Sequence, residues 1–548
     1  MRLLHGHMTF RHDGLVCNTA VMSARALAVH RVITFVAGIL LLALGTIWIA
    51  VVLDGEAYVS TAFVVLFVAA YLGSSGVRWA LLPRMMRPVA MAPSVALRVA
   101  AVTTFVPTHE PLDMLERSLL AMLRMHEPHD TWVLDESDSA EVRALCEHLG
   151  VRHFSRASEP NYNQDAGTFR IRSKHGNYNA WCAHHGFAEY DVLAMFDPDH
   201  VPDVNYLRQT LGYLTDGRVG FVQTPQVYYN QAASFVARGA AEESYAYYST
   251  HLMASYALGH TVVIGSHGVH RLAALRDVGG LPAHDAEDLY LTMLYRTAGW
   301  RGVFVPDVLA MGQTPTDWSS YLRQQLRWAR SLLDLKFRVL PALAVRLTPR
   351  ERIANLLHGG WFLRSLALPV LYALLAVHLV TNTAPAYLRP EAMLALFALV
   401  LVPLSLGLVQ HRYYLPPDRL DRFHWRGAAM QFAKWPVLMR AAVEAASGRV
   451  YAYALTSKRA GPATSSLLAP VHTAVAVIVA IAWSIGVKRF GALHAELTIA
   501  AASVICLSLA IVASDLFPRV AAMTSDLHES RRAAAARSYQ WSGRHEAV

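Results

Sequence analysis

The chain has 548 residues, 54% of them hydrophobic and 16% charged, with a formal net charge of +9 and a mean hydropathy of +0.28, a balance that excludes an ordinary soluble globular protein of this length. The positive charge is accounted for by membrane anchoring, without the basic, aromatic-interleaved patch that nucleic-acid binding requires. Cys17, Cys146, Cys182 and Cys506 show no CxxC spacing and support neither a disulfide framework nor a zinc site.

Along the chain, apolar runs of membrane-spanning length are expected at about 32–53 and 60–82, then at 361–380, 391–410, 467–487 and 497–516. The first is too long for the apolar core of a cleaved signal peptide. Arg25, Arg31, Arg78, Arg84, Arg87, Arg412, Arg419, Arg422, Arg531, Arg532 and Arg537 fall on one side of these runs, and the opposite loops carry Arg389, Lys488 and Arg489. This asymmetry places both termini and the long intervening segments in the cytoplasm.

Between the second and third runs the sequence alternates: a strand in VAAVTTFVPT, a helix in LDMLERSLLAML, a strand in TWVLDES, a helix in AEVRALCEHLG, a strand in VRHFS, a helix in NYNAWCAHHGFA and a strand ending in DVLAMFDPDH. Such alternation predicts a mostly parallel sheet covered by helices, with a site at the strand C-terminal ends, where Asp135 and Asp197 stand. The expected organisation is a cytoplasmic N-terminal segment (1–31), two membrane helices (32–96), a cytoplasmic α/β domain (97–345), an interfacial helix with two membrane helices (346–410), cytoplasmic interfacial helices with a loop (411–466), a last membrane pair (467–516) and a cytoplasmic tail (517–548).

Three stretches carry candidate chemistry. MFDPDHVP sets Asp197 and Asp199 two residues apart on a turn, where a hard divalent cation would relieve their repulsion and bridge to phosphates, although surface turns often contain the same pattern. HDAEDLYL puts Asp285, Glu287 and Asp288 at a helix start, where capping is the ordinary role of acidic residues. In DWSSYLRQQLRWARSLLDL, Trp318, Leu322, Leu326, Ala329 and Leu333 fall within roughly 80° of arc, while Gln324, Arg327, Trp328 and Ser331 point the other way. A plain interfacial anchor has no need of that Gln and Trp, though Trp also serves as a membrane-belt residue.

In order, VPTHEP, VLDES, SKHGNYNAW, FDPDHVP, VQTPQVYYN, GSHGVHR, AEDLYL, QQLRW and YALTSK resemble the motif series of the processive family 2 glycosyltransferases of the cellulose synthase type, which includes cellulose, curdlan, hyaluronan and chitin synthases. The resemblance covers roughly residues 100–460. It implies a GT-A (Rossmann-like) cytoplasmic glycosyltransferase domain inserted between about six spans of a multi-pass plasma (inner) membrane protein. It implies donor contacts from Thr108, Glu110, Asp135, Lys174, Asp197, Gln324 and Arg327, and Mg²⁺ or Mn²⁺ on Asp197 and Asp199, with His200 adjoining. It also implies a general base in Asp288, an acceptor platform in Trp328 and a gating loop carrying Tyr453, Thr456 and Lys458. The implied partners are a UDP-sugar, a growing polysaccharide and the lipid bilayer; accessory secretion subunits are compatible with it, and no nucleic acid is involved. The helix of QQLRW is then expected to lie apolar face down on the inner membrane surface and roof the site.

Three departures stand out: Ala286 precedes Glu287 and Asp288 where Thr is usual, Glu136 and Ser137 follow Asp135 where Asp and Gly are frequent, and Tyr453 and Leu455 replace Phe and Val. About thirty Ala- and Arg-rich residues follow the last apolar run, so a cyclic-dinucleotide domain in cis is not expected. The favoured activity is polymerisation of UDP-glucose into a β-glucan with translocation. A hyaluronan- or chitin-type synthase using UDP-N-acetylglucosamine and a nonprocessive lipid glycosyltransferase are the alternatives. A transporter is disfavoured because the apolar runs hold almost no ionisable residues. YALTSKRAG also reads as a basic juxtamembrane linker.

Overall fold

The computed structural model describes residues 2–4, 7–11, 17–55, 57–93, 96–359, 366–415, 423–447 and 468–517. Fourteen strands follow one another among them: β1 (Arg2–Leu4), β2 (His7–Arg11), β3 (Cys17–Ala20), β4 (Met86–Pro88), β5 (Val99–Phe105), β6 (Asp130–Asp135), β7 (Arg152–Phe154), β8 (Val192–Phe196), β9 (Val201–Pro202), β10 (Val219–Gln223), β11 (Val227–Tyr228), β12 (His267–Arg271), β13 (Arg301–Phe304) and β14 (Ala310–Gly312).

The central sheet has seven strands in the order β13-β10-β12-β8-β5-β6-β7. β5 reads VAAVTTF because both of its faces are covered, as a central strand between helical layers requires. Its Val99, Ala101 and Phe105 join Leu115, Leu119 and Met122 of the Leu112–Leu123 helix on one side. Ala100 and Val102 join Tyr178 and Trp181 of the Lys174–Trp181 helix on the other. Parallel pairing sets Phe105 opposite Asp135 and Thr103 opposite Phe196, so β5, β6 and β8 end side by side.

The expected strands and helices of residues 99–196 all form, but the sheet is mixed. β12 runs antiparallel to both β8 and β10. The reason is topological: the chain leaves β10 at the edge that carries Asp197 and, after the helices between Phe235 and Ala257, re-enters at that same edge. Asp197 N–H accordingly donates to Ser266 O at 2.7 Å. A small sheet ordered β11-β14-β9 lies beyond this edge and leads the chain toward the helix Trp318–Asp334.

The N-terminal strands form a four-stranded antiparallel sheet with β4, an arrangement that the expectation of a plain N-terminal segment did not contain. β3 pairs with β4 across two intervening long helices, and strands of three to five residues leave no readable periodicity.

Among the described residues, five helices are long and apolar enough to cross a membrane: Ala24–Leu53, Tyr58–Arg84, Pro390–Tyr413, Leu468–Phe490 and Ala495–Phe517. The expected run at 361–380 corresponds to the shorter apolar helix Ala367–Thr381, and its first residues lie outside the described set. Trp48, Val52, Val64, Val68, Ala392 and Leu399 pack the first two spans against the third. Leu42 and Phe35 stay above 70% exposed on the outer surface, as lipid-facing residues do.

The apolar face of the Trp318–Asp334 helix is occupied by protein, which corrects the expectation that it rests on a membrane surface. Trp318 and Leu322 pack with Met430, Ala433 and Val437, and Ala329 and Leu332 with Leu438 and Ala441, from the helices Trp425–Ala433 and Trp435–Ser447. This contact is fastened by Lys434, which is fully buried. Its ammonium lies 2.8 Å from Glu243 Oε1, 3.2 Å from Gln325 Oε1 and 3.3 Å from Tyr321 Oη. Removing one partner of a buried ion pair leaves the other charge uncompensated, so Lys434→Met is expected to cost about 3–5 kcal/mol. The unfolding midpoint in detergent should fall, and adding Glu243→Gln should recover most of it; an unchanged midpoint in the single variant contradicts the assignment.

Candidate active site

The edge where β5, β6 and β8 end opens on a cavity of about 2570 Å³, well above the ~300–1,000 Å³ that holds one small ligand. Asp197 and Asp199 enter it on the turn after β8, with the turn closed by His200 N–H donating to Asp197 O at 2.9 Å. Lys174, at the start of its helix, contacts both the Asp197 carboxylate and the Gly265 carbonyl. Burial alone would lower the Lys174 ammonium, but the Asp197 carboxylate, with Glu287 beyond it, outweighs burial and holds the group well above its usual range.

Asp199 is held differently. Gln313 N–H, just after β14, donates to its Oδ2 at 2.8 Å, and His200 Nδ1 lies 3.2 Å from its Oδ1. Gly312 is required here, because a Cβ would stand 2.4 Å from the His200 ring. One donor atom each from Asp197, Asp199 and His200 lies within 4.8 Å of the others. His200 Nε2 is buried without a partner among the described residues. Two carboxylates and an imidazole form a donor set that a divalent cation accepts, so the cluster fits the metal expected there.

Asp288 stands on a different element, in the first turn of the helix Glu287–Thr297. It does more than cap that helix: Leu289 N–H donates to its Oδ1 at 2.8 Å, while Oδ2 reaches the neighbouring loop and accepts from Gly265 N–H at 3.1 Å. Gly265 is small enough to admit both acids, since a Cβ would lie 3.3 Å from the Asp288 and Glu287 carboxylates. Burial raises the Asp288 carboxyl against the pull of these two amides. Burial and the Asp288 charge push Glu287 up to about 7, against Lys174 and Arg327.

The structure brings most of the sequence-derived residues to this cavity: Thr108, Glu110, Lys174, Asp197, Asp199, Asp288, Gln324, Arg327 and Trp328 all line it. Glu110 also closes its own loop by accepting from Val106 N–H at 2.8 Å. Asp135 is different. It is fully buried, its carboxylate accepts from the Ser137 and Ser139 N–H groups at 2.9 and 2.5 Å, and its neighbours Glu136 and Ser137 face the cavity instead. Glu136 in turn meets Arg156 at 2.8 Å and the Arg172 N–H at 2.8 Å. Tyr453, Thr456 and Lys458 lie outside the described residues. Glu243, Tyr321 and Gln431 also line the cavity and were not singled out, because they come from three helices with no common motif.

A mixed seven-stranded sheet with an Asp-x-Asp-His turn at its edge, set among helices of membrane-spanning length, is the architecture expected of a membrane-inserted glycosyltransferase of GT-A fold. Sequence comparison with known proteins is consistent with that expectation. Residues 192–409 match the family model described as glycosyl transferase family group 2. The chain is 26% identical over 279 residues to the UDP-forming cellulose synthase catalytic subunit of Xanthomonas axonopodis pv. citri (strain 306), a match covering 49% of this chain and 36% of that protein. It is 24% identical over 243 residues to the probable glucomannan 4-beta-mannosyltransferase 7 of Oryza sativa subsp. japonica, covering 41% and 39%. The match therefore spans roughly a third of the length of these relatives. Among solved structures, the mannosyltransferase PcManGT from Pyrobaculum calidifontis, in complex with GDP-Man and Mn2+, aligns at a TM-score of 0.46 and 18% identity over 70% of this chain and 98% of that one. Over the matched residues the chain is thus similar to glycosyltransferase family 2 and to cellulose synthase catalytic subunits.

The raised Glu287 carboxyl gives stability a defined pH dependence. The folded state binds a proton that the unfolded chain releases near pH ~4.3, so this contribution is full below that value and is lost as pH rises through about 7. Between pH 5 and 8 the wild-type unfolding midpoint should fall more steeply than that of Glu287→Gln. Equal slopes would contradict the shift.

Proposed function

We propose that this chain is a processive, inverting glycosyltransferase that polymerises a UDP-sugar, with UDP-glucose and a β-glucan product as the favoured pair, and passes the polymer across the membrane. The observation that carries the reading is the placement of two separate acidic centres, Asp197 with Asp199 and Glu287 with Asp288, on the cavity that Gln324, Arg327 and Trp328 also line. Inverting transfer needs this separation: a base on the acceptor hydroxyl must stand apart from the groups that hold the leaving diphosphate.

In this reading the uridine end of the donor lies along the wall of Thr108, Glu110 and Ser137, and the diphosphate lies toward Gln324 and Arg327. Asp197 and Asp199, with His200, would hold Mg²⁺ or Mn²⁺, which supplies positive charge to the leaving UDP. Asp288 takes the proton of the acceptor hydroxyl as that oxygen attacks the anomeric carbon, and the bond to UDP breaks on the opposite face. The raised carboxyl suits the task, because a base with its pKa nearer the working pH is the more effective one. Arg327 steadies the charge that develops on the diphosphate. Trp328, 37% exposed at the cavity wall, offers a face for the terminal sugar and lets the chain slide after each addition.

The cavity's size supports room for an acceptor chain beside the donor, and its wall of Tyr321, Glu243 and Gln431 leads from Trp328 toward the helices Trp425–Ala433 and Trp435–Ser447. We assign the start of the export path to this wall and a gating role to Thr456 and Lys458. The distribution of arginines supports a catalytic domain on the cytoplasmic face, and we assign the chain to the plasma membrane.

The reading is tested with purified protein, a panel of radiolabelled UDP-sugars and digestion of the product by linkage-specific glycosidases. Incorporation from UDP-glucose into a polymer degraded by a β-glucanase is expected; a single-addition product on lipid, or no incorporation from any UDP-sugar, refutes it. Asp288→Asn should keep UDP affinity and lose transfer by about 10²–10⁴-fold. Normal transfer by that variant would return the acidic pair to a capping role.

A further inference from the structure

The cavity continues beyond the donor wall into a lobe that the transfer chemistry does not use. It lies between the end of the second long helix, the segment around His251 and His260, the start of β13, and the helix Pro349–Leu357 with His358 after it. The side chains that shape its character are basic: Arg78, His251, His260, Arg301, Arg350 and His358. Tyr247 orders two of the imidazoles, stacking on His251 at 5.3 Å between ring centroids and placing its hydroxyl 3.5 Å from His358 Nε2.

Two features show that the lobe is incomplete. Both ring nitrogens of His260 are buried and have no partner among the described residues. Behind the lining, close enough for its charge to act on His260, Arg296 is 7% exposed and gives its Nη2 to Thr261 O at 3.3 Å, while its Nε and Nη1 are buried and likewise without a partner among those residues. Purely structural buried polar groups are normally satisfied, so unused donors of this kind point to something that accepts from them.

The local field has the matching sign. Burial pulls His251 down to about 4, His260 and His358 to about 3, and Arg296 to about 10, and the positive charges of Arg78, Arg296, Arg301, Lys336 and the neighbouring imidazoles add to it. Glu351 is the acid lining the lobe, and its carboxylate is engaged by the Thr348 N–H and hydroxyl at 3.0 and 2.9 Å. Neutral imidazoles still donate, and guanidinium forks match tetrahedral oxyanions. We propose that this lobe is a second, anion-binding subsite, distinct from the donor site, that takes the phosphate group of a phosphate ester, either free or presented as a lipid headgroup beside Arg78 at the end of the second long helix.

The full-length protein in maltoside detergent tests it. One arm titrates radiolabelled orthophosphate; the other titrates phosphatidic acid in phosphatidylcholine micelles, with retained lipid read by native mass spectrometry. Saturable binding of at least one probe is expected, undiminished by saturating UDP, and weakened about tenfold or more when His260→Gln and Arg301→Gln are combined. Phosphate binding alone identifies a free ester, and phosphatidic acid binding alone identifies a headgroup. No saturable binding of either probe, displacement of the probe by UDP, or wild-type affinity in the double variant overturns the subsite. If the double variant loses UDP and phosphate binding together, Arg350→Gln decides, because its exposed position spares the fold. A loss of about threefold with UDP binding intact supports the subsite, and no loss overturns it.

Discussion

Four of the carboxylates that line the cavity, those of Asp197, Asp199, Glu287 and Asp288, form its two candidate reactive centres, and the balance of their charge governs the rest of the arrangement. Asp197 is neutralised by Lys174, Asp199 by the Gln313 amide and the edge of His200, and Asp288 by two backbone amides. Glu287 is left with its carboxyl pushed toward neutrality. Lys174 is shared in this scheme, since its ammonium meets Asp197 and the carbonyl of Gly265, while the amide of Gly265 meets Asp288. One loop before β12 thus links the candidate metal turn to the candidate base.

The mixed sheet makes that link possible. Were β12 parallel to its neighbours, its N-terminal loop would lie at the opposite edge, far from Asp197. Because it runs antiparallel between β8 and β10, Gly265 and Ser266 arrive beside the Asp-x-Asp turn. The small sheet does the same for the other wall: β14 delivers Gln313 to Asp199, and the chain then enters the helix of Gln324, Arg327 and Trp328. That helix is fixed from behind by protein packing and the buried Lys434, so its polar face can be rigid toward the cavity.

The sequence made the α/β domain readable because its central strands are short, apolar and separated by amphipathic helices, with β6 ending at Asp135 and β8 running directly into Asp197. Asp197, Asp199 and Asp288 could be picked out because acid pairs at strand and helix ends are locally visible. What stayed hidden depends on long-range pairing. The direction of β12, the N-terminal sheet and the Lys434 network join segments tens to hundreds of residues apart. The inward turn of Asp135, with Glu136 and Ser137 facing the cavity, is a choice of rotamer and loop that no spacing encodes. The helix of QQLRW was read correctly as two-faced. Its apolar partner was misassigned because a protein surface and a membrane surface demand the same stripe.

The central claim is that the Asp197 turn and the Asp288 wall act as separate centres, the first for a cation and diphosphate, the second for the acceptor proton. The most direct measurement is the electron paramagnetic resonance of Mn²⁺ added with UDP to the purified full chain. The account predicts a bound Mn²⁺ signal, altered by UDP, that is lost in Asp199→Asn and retained in Asp288→Asn. A Mn²⁺ signal that survives Asp199→Asn, or that vanishes with Asp288→Asn, would contradict it.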